Sequence, residues 1–217
     1  LRVYDPALVE QVRLNTFDQY IKTLPEQKSN DIILLNIGEE SLGEMGQFPW
    51  PRHEYAQMIS DLRNINAGYI GFTIMFPEPD RFGGDDIFAQ YMQDNGILLS
   101  QDVDANGRAD SAPYVGYATF GTSDPLDFIY KYDGLVSNIK YLEQEAWGIG
   151  LINAAPEVDN ITRRIPLMSN VKDQLYPSFA LEMTRLVQDQ LSYTIKSNEA
   201  GIEGVVIRPY EIPTDSD

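Results

Sequence analysis

The sequence predicts an α/β fold, a single three-layer domain over residues 1–217 with a mixed sheet, a parallel βαβ core and flanking helices. Two nearly continuous apolar runs, 31–37 and 69–76, are typical of strands covered on both faces. Between them, apolar residues spaced by three and four predict a helix that begins at Pro51: Tyr55, Met58, Ile59, Leu62 and Ile65. Strand, helix and strand in this order predict a right-handed crossover with parallel strands.

The N-terminal segment predicts a helix over residues 6–24. Asp5 suits the N-cap position, and Pro6 suits the first helical position. The helix has an approximate apolar stripe: Val9, Val12, Phe17, Tyr20, Ile21 and Leu24. A polar loop over 22–30 leads to the first strand, and Gly68 ends the crossover helix.

The rest of the chain predicts further strands and helices of the same domain. Their spacing shows no interdomain linker, so we expect them to extend the same sheet. In chain order they are a helix at 85–94, strands at 97–101 and 114–120, a mixed region at 121–146 with a helix near 137–146, strands at 147–153 and 161–168 around a turn at 156–160, a helix from Pro177, and weaker strands at 193–195 and 205–207.

Composition excludes several classes of function. The net charge is −17, from 16 Lys and Arg against 33 Asp and Glu, so nucleic acid and anionic lipid are repelled and cations are favoured. The absence of Cys excludes disulfides and thiolate metal sites. The chain begins at Leu1 without an initiator Met or a signal-peptide pattern, so we expect a segment of a longer protein.

Several short motifs, in order, resemble the type-two CHASE domain, a sensory extracellular domain associated with cyclases and histidine kinases. They cover nearly the whole chain, and their order makes the match specific although each is weak alone. The matching segments are 37–41 (IGEES), 48–52 (FPWPR), 71–80 (GFTIMFPEPD), 159–167 (DNITRRIPL), 177–181 (PSFAL) and 212–215 (IPTD).

This resemblance implies a sensory input domain on the periplasmic or extracellular face of a bacterial inner membrane. Missing flanking helices would anchor it to the membrane, and a cytoplasmic cyclase or kinase would supply the output, so the segment itself is not expected to be an enzyme. The expected partners are a second copy in a homodimer and an unknown small molecule, cation or protein stimulus. Thr73 and Asn36 stand where the family often has acidic residues, so relatives' ligand chemistry need not apply.

Ligands of open α/β sheets bind beyond the carboxyl ends of parallel strands, which places the candidate ligand site at that edge. Arg52 lies in the first turn of the crossover helix, where a cation needs an anionic partner or ligand. Its alternative role is to pair with Glu78 or Asp80 and hold the loop. Arg163 and Arg164 should point to opposite faces, and both could pair with acids instead. The predicted ligand-binding residues are Glu39, Ser41, Trp50, Arg52, Glu78, Asp80 and Arg163, with Glu40 beside them and Trp50 also expected as a packing anchor.

Residues 102–110 have the order D-x-D-x-N-G-x-x-D of a calcium loop. The candidate metal ligands are Asp102, Asp104, Asn106, the Arg108 carbonyl and Asp110. Pro113 replaces the bidentate Glu of an EF-hand, so a complete EF-hand is excluded and a single-loop Ca2+ site stays open. The alternative is a turn in which Asp and Asn bond to their own backbone.

Two other functional classes stay open. Paired carboxylates among Glu39, Glu40, Glu78 and Asp80 could serve an extracytoplasmic hydrolase, and the segment could be a structural spacer. No residue is assigned a catalytic role. His53 is the only His, which excludes a zinc cluster of several His and Cys ligands.

Overall fold

The computed structural model of the chain describes residues 7–26, 29–107, 113–154 and 156–214. Two compact units are present: Leu1–Phe48 with Pro156–Arg163, and Pro49–Ala155 with Arg164–Asp217. The helices are α1 Ala7–Thr23, α2 Glu39–Met45, α3 Arg52–Asn64, α4 Asp85–Met92, α5 Lys140–Glu145 and α6 Phe179–Val187, with a 3-10 turn at Pro125–Asp127. The strands are β1 Ile70–Phe72, β2 Ile97–Asp104, β3 Tyr117–Gly121, β4 Lys131–Tyr132, β5 Gly134–Val136, β6 Gly148–Leu151, β7 Met168–Val171, β8 Gln174–Pro177, β9 Tyr193–Asn198, β10 Gly201–Ile207 and β11 Tyr210–Pro213.

The first unit contains α1 and α2, together with the turn 156–163. Leu14 of α1 is buried, whereas Val12, Tyr20 and Leu24 are exposed. Residues 31–37 run between the two helices without regular secondary structure. Their apolar side chains are exposed, to 89% at Leu34.

A parallel sheet forms the centre of the second unit. β2 pairs in parallel with β1, with Ile70 opposite Ile97, and in parallel with β6, with Leu98 opposite Gly148. β5 pairs antiparallel with the far end of β2. Beyond the carboxyl end of β1, the buried Asn138 accepts a hydrogen bond from Phe76 N (2.7 Å) and donates one to Ser100 O (2.8 Å). This amide therefore links the segment that follows β1 to strand β2 at that edge of the sheet.

Helices cover both faces of this sheet. On one face α6 lies directly on the backbone of β6, where a Cβ at Gly150 would stand 2.5 Å from Phe179 Cα. On the other face Tyr55 of α3 and Phe88 of α4 meet Phe72, with ring centroids 5.6–6.1 Å apart. This arrangement gives helix, sheet and helix layers, as the sequence predicts.

Two further sheets complete the second unit. One has the strand order β11-β10-β9-β3, and Tyr193 and Ile195 of β9 contribute fully buried side chains to it. The other has the order β4-β7-β8. Its β7–β8 hairpin turns at Lys172 and Asp173, which both have positive φ (51° and 65°), as a two-residue hairpin turn requires.

The α/β class and the parallel βαβ core are confirmed, but the core lies at β1–α4–β2 rather than at residues 31–76. The predicted strand at 31–37 is wrong, since no described strand pairs with it. A continuous apolar run carries no information about a pairing partner, and a strand exists only through its ladder. The extent of a single domain over 1–217 stays a prediction.

Other boundaries moved for local reasons. The strand predicted at 69–76 shortens to β1, because Pro77 and the Asn138 bridge replace its ladder. The strand predicted at 161–168 is replaced by β7, which begins where the predicted strand ends. Helix α2 falls in a predicted loop, and Pro177 belongs to β8 while Ser178 caps α6. Helices α1, α3 and α4 and strands β2, β6, β9 and β10 form close to where the sequence places them.

Within the described residues, every helix is too short or too polar to cross a membrane bilayer.

Candidate functional site

The loop after β1 caps helix α3. Pro51 stands at the N-cap of α3 and has no side-chain oxygen to accept from the first turn. Asp80 supplies that acceptor from a distance, since its Oδ2 receives the Arg52 backbone N–H at 3.0 Å. The Phe-Pro-Trp-Pro-Arg and Pro-Glu-Pro-Asp motifs are therefore two halves of one helix cap.

The carboxylate of Asp80 also organises its own turn. Oδ2 accepts a second backbone N–H from Gly84 (3.0 Å), and Oδ1 accepts one from Phe82 (3.2 Å). Burial raises the pKa of Asp80, but these three backbone hydrogen bonds and the charge of Arg52 outweigh it, so the net pKa lies below its ordinary value. This carboxylate is therefore held as an anion and is poorly suited to donate a proton.

The Arg52 side chain is engaged within the same loop. Its Nη2 donates to the Glu78 carbonyl oxygen (2.9 Å), and its Nε lies 3.2 Å from Asp85 Oδ1. The guanidinium stands 4.4 Å from the centre of the Phe76 ring. These contacts agree with the alternative in which Arg52 holds the loop, although it uses the Glu78 backbone and the Asp85 carboxylate. Trp50 is buried beside them, as expected of a packing anchor.

In the first unit, Arg163 gathers three carboxylates around one guanidinium. Nε and Nη2 donate to the two oxygens of Asp18 (2.7 and 2.8 Å). Nη1 and Nη2 donate to the two oxygens of Asp159 (2.9 and 2.7 Å), and Nη1 also reaches Glu157 Oε2 (3.3 Å). The Arg163 side chain is only 4% exposed. We call Arg163, Asp18, Glu157 and Asp159 the α1 clamp, because they tie α1 to the turn at 156–163.

The clamp shifts the titration of its own members. Hydrogen bonds from Arg163 hold the pKa of Asp18 and of Asp159 below the ordinary value of 3.8, against the cost of burial. The same bonds raise the pKa of Arg163. Asp18 and Asp159 are therefore ionised at neutral pH, and the clamp is closed there.

Comparison with protein-family models decides what kind of domain carries these loops. The model described as CHASE2 domain matches residues 1–217, the whole chain. This chain belongs to the CHASE2 domain family. Searches of curated proteins and of solved structures each returned no match. CHASE2 domains are extracytoplasmic sensory domains of receptor proteins, so this segment is a sensory module rather than a catalytic one.

The predicted ligand-binding residues of this CHASE2 domain divide between the two units. Trp50, Arg52, Glu78 and Asp80 come together around the α3 cap, as described above. Glu39 is exposed in the first turn of α2, and Ser41 follows it half-buried. Arg163 is enclosed in the α1 clamp. A ligand role for these residues stays a prediction.

The predicted calcium loop begins inside β2. Asp102 and Asp104 alternate with Val103, so both lie on one face of that strand. Asp104 Oδ1 accepts the Asn106 backbone N–H (2.9 Å), and Gly107 has φ +63°, so a local Asx turn is present. Arg108 and Asp110 lie outside the described residues. Among the described residues, no cluster of three acidic or His side chains could hold a metal.

Several residues that organise these loops were missed at the sequence level. Asp18 is 145 positions from Arg163, and nothing in the spacing of either residue points to the other. Asp85 and Asn138 act on loops that begin elsewhere in the chain. Asp85 carries the one usable signal, since it opens a predicted helix beside the Pro-Glu-Pro-Asp motif.

Because Asp80 caps α3 from a distant part of the chain, substitutions of Asp80 and of its neighbour Glu78 should change the stability by different amounts. Asp80→Ala removes acceptors from three backbone N–H groups and should lower the free energy of unfolding by about 1–2 kcal/mol. Glu78→Ala is the matched control, because Arg52 binds the Glu78 backbone, and it should change the value by less than about 0.5 kcal/mol. Urea titration at neutral pH measures both. Equal losses in the two variants would show that the Glu78 carboxylate, not the cap, holds the loop.

The α1 clamp predicts that the stability contributed by its ion pairs falls at low pH. The folded-state pKa values of Asp18 and Asp159 lie below 3.8, so their stabilisation is complete above that pH and is lost as pH falls through the lowered values. The loss of Tm in Arg163→Lys relative to wild type should be constant from about pH 5 to 8 and should shrink below about pH 4. Circular dichroism melts across this range test it.

Arg13→Lys provides the control for this measurement, since Arg13 pairs with Glu10 on the exposed side of the same helix. It should change Tm little at any of these pH values. A Tm difference for Arg163→Lys that persists undiminished at about pH 2.5, where Asp18 and Asp159 of the unfolded chain are protonated, would contradict the charge-based clamp.

Proposed function

We propose that this CHASE2 domain is the periplasmic input domain of a bacterial transmembrane receptor whose cytoplasmic output is a cyclase or a histidine kinase. The observation that supports this function is the match of the CHASE2 family model to all 217 residues. The charge of −17 suits a domain that meets solutes and cations rather than lipid or nucleic acid.

The α1 clamp offers a way for the domain to bias its output. Helix α1 comes before the other described elements in the chain, so a membrane helix preceding the domain would act on α1 first. The clamp holds α1 through the bidentate Arg163–Asp18 pair, whose geometry Lys cannot reproduce. A stimulus that binds better to one position of α1 than to another would shift the population and thereby the output.

The hydrolase alternative is not favoured. The family is sensory, and Asp80 is fixed as an anion by three backbone N–H groups. General acid catalysis needs a carboxyl whose pKa is raised toward the working pH, and the pKa of Asp80 moves in the opposite direction.

The full-length receptor in its native membrane tests this proposal. Arg163→Ala should shift the output by about fivefold or more in either direction, the lower range of measured allosteric couplings. Cyclic-nucleotide production and autophosphorylation in membrane vesicles measure the two candidate outputs. Protease added to intact spheroplasts should cleave the domain, because the proposed location is periplasmic.

Arg13→Ala is the matched control on the same helix and should leave the output unchanged. Protection of the domain in intact spheroplasts, with cleavage only after lysis, would overturn the periplasmic location. An output that is unchanged both by Arg163→Ala and by deletion of the domain would favour a spacer.

We also propose that residues 102–110, which begin inside β2, bind Ca2+ weakly. The ligands would be Asp102, Asp104, Asn106, the Arg108 carbonyl and Asp110. Extracellular calcium modules bind at roughly millimolar concentration. Calcium at about ten times Kd should then stabilise the fold by about 1.4 kcal/mol. The change in Tm on adding CaCl2 measures this effect.

Asp104→Ala should abolish the calcium-dependent rise in Tm. Asp86→Ala, an exposed acid of α4, should retain it. A wild-type Tm that does not respond to millimolar calcium, or responds equally in both variants, would reduce the loop to an Asx turn.

A further inference from the structure

A groove of about 390 Å3 opens at the amino edge of the parallel sheet, opposite to the edge where the sequence places a ligand. Tyr69 and Trp147 immediately precede β1 and β6 and form one wall. Tyr114 and residues at and after the end of α6 also line the groove. All of these residues belong to the second unit.

Three aromatic rings in this groove are only partly buried. Tyr69 is 37% exposed, Trp147 41% and Tyr114 46%. Tyr69 and Trp147 meet edge to face, with centroids 6.3 Å apart. Aromatic rings that keep this much surface uncovered in a groove of small-molecule size can attract cations through their π faces.

The one cationic side chain in the lining is already neutralised. Arg185 donates to both oxygens of the fully buried Glu182 (2.9 and 2.8 Å). Its Nη1 donates to the Gln190 carbonyl oxygen (2.6 Å), and its Nη2 reaches the Trp147 carbonyl oxygen (3.3 Å). Tyr193 also donates to Glu182 through its hydroxyl. The guanidinium is therefore committed to a carboxylate and to backbone carbonyls, and it offers an anion little attraction.

Among the described residues that line the groove, the other charged residue is Asp189. Asp189 is exposed, and no described residue pairs with its carboxylate. Helix α6 ends at Val187, and a helix C-terminus carries partial negative charge. The net charge of −17 adds an attractive potential for cations over the whole surface. Aromatic faces and negative charge thus favour the same class of ligand.

We propose that this groove binds a small organic monocation, an amine or quaternary ammonium with an apolar or aromatic body. The cationic head lies among the faces of Tyr69, Tyr114 and Trp147, with Asp189 at the rim. This site deepens the proposed sensory function, on which its role as an input rests. Binding itself belongs to the isolated chain and does not depend on the output.

Three soluble probes of similar size separate charge from shape: benzyltrimethylammonium, benzyl alcohol and phenylacetate. The chain has two Trp residues, and the second, Trp50, is buried to 4% exposure at the α3 cap. A change in tryptophan fluorescence on titration therefore reports mainly on Trp147. We expect saturable binding of the cation, at least about tenfold tighter than either the neutral or the anionic probe.

Two variants test the residues without disturbing the core. Asp189 has φ +50°, a conformation that Asn also tolerates, so Asp189→Asn removes the charge and keeps the turn. We expect this variant to lower the affinity for the cation about threefold or more and to leave the affinity for benzyl alcohol unchanged. Tyr114→Ala removes one of the three aromatic rings and should lower the affinity for the cation about tenfold. Tyr210→Ala, an exposed Tyr of β11, is the matched control and should have no effect.

Equal affinity for phenylacetate and the cation would overturn the proposal, as would no saturation by the cation up to about 10 mM. An equal loss of affinity for the cation in Tyr210→Ala and Tyr114→Ala would also overturn the proposal. A receptor that responds to Arg163→Ala while its domain fails to bind the cation would retain the proposed sensory function and reject this ligand class. Binding of the cation by a domain that is not periplasmic would retain this ligand class and reject the proposed location.

Discussion

Buried arginine–carboxylate pairing is the interaction on which the loops of this CHASE2 domain depend. Arg52, Arg163 and Arg185 are all nearly enclosed, and each has acidic partners. Acids outnumber bases by 33 to 16, so a buried guanidinium readily finds a carboxylate while most acids stay in solvent. The same excess of acidic residues that excludes nucleic acid also supplies the carboxylate partners of these arginines. Acidity of the surface and order in the loops are therefore two results of one composition.

These pairs contribute geometry more than net stability. Desolvation of two charges can cancel their attraction, so a buried ion pair alone is weak evidence for a stable fold. What the pairs do fix is position, because a guanidinium presents five donors in a rigid plane. Arg163 directs those donors to acids from α1 and from the turn at 156–163, so the two segments keep one orientation. A domain that reports on a stimulus needs such a defined starting state, from which a shift can be detected.

The sequence predicted what local period and chain order control, and it failed where distant partners decide. Helix α3 follows from its apolar spacing, and the parallel core follows from alternating strands and helices. Residues 31–37 carry as strong a strand signal as β2, yet a strand requires a ladder, and the composition of one segment cannot supply it. The contacts of Arg52 agree with the alternative in which it holds its loop, but its partner Asp85 was signalled only by its place at the start of a predicted helix. The distant Asp18 partner of Arg163 depends on tertiary approach alone.

The same distinction bears on where a ligand binds. Polar motifs beyond the carboxyl ends of the strands point to a site there, but much of that edge is committed to the protein itself. Asp80 accepts hydrogen bonds from three backbone N–H groups, and the Asn138 amide links the segment after β1 to β2. A group whose hydrogen bonds are satisfied internally must lose them to bind anything else, so its affinity for a ligand falls. At the amino edge, Trp147 and Tyr114 keep much of their ring surface uncovered, and Asp189 has no partner among the described residues. Groups without internal partners are the ones that gain from a ligand, which favours the amino edge of the sheet over the edge that the motifs select.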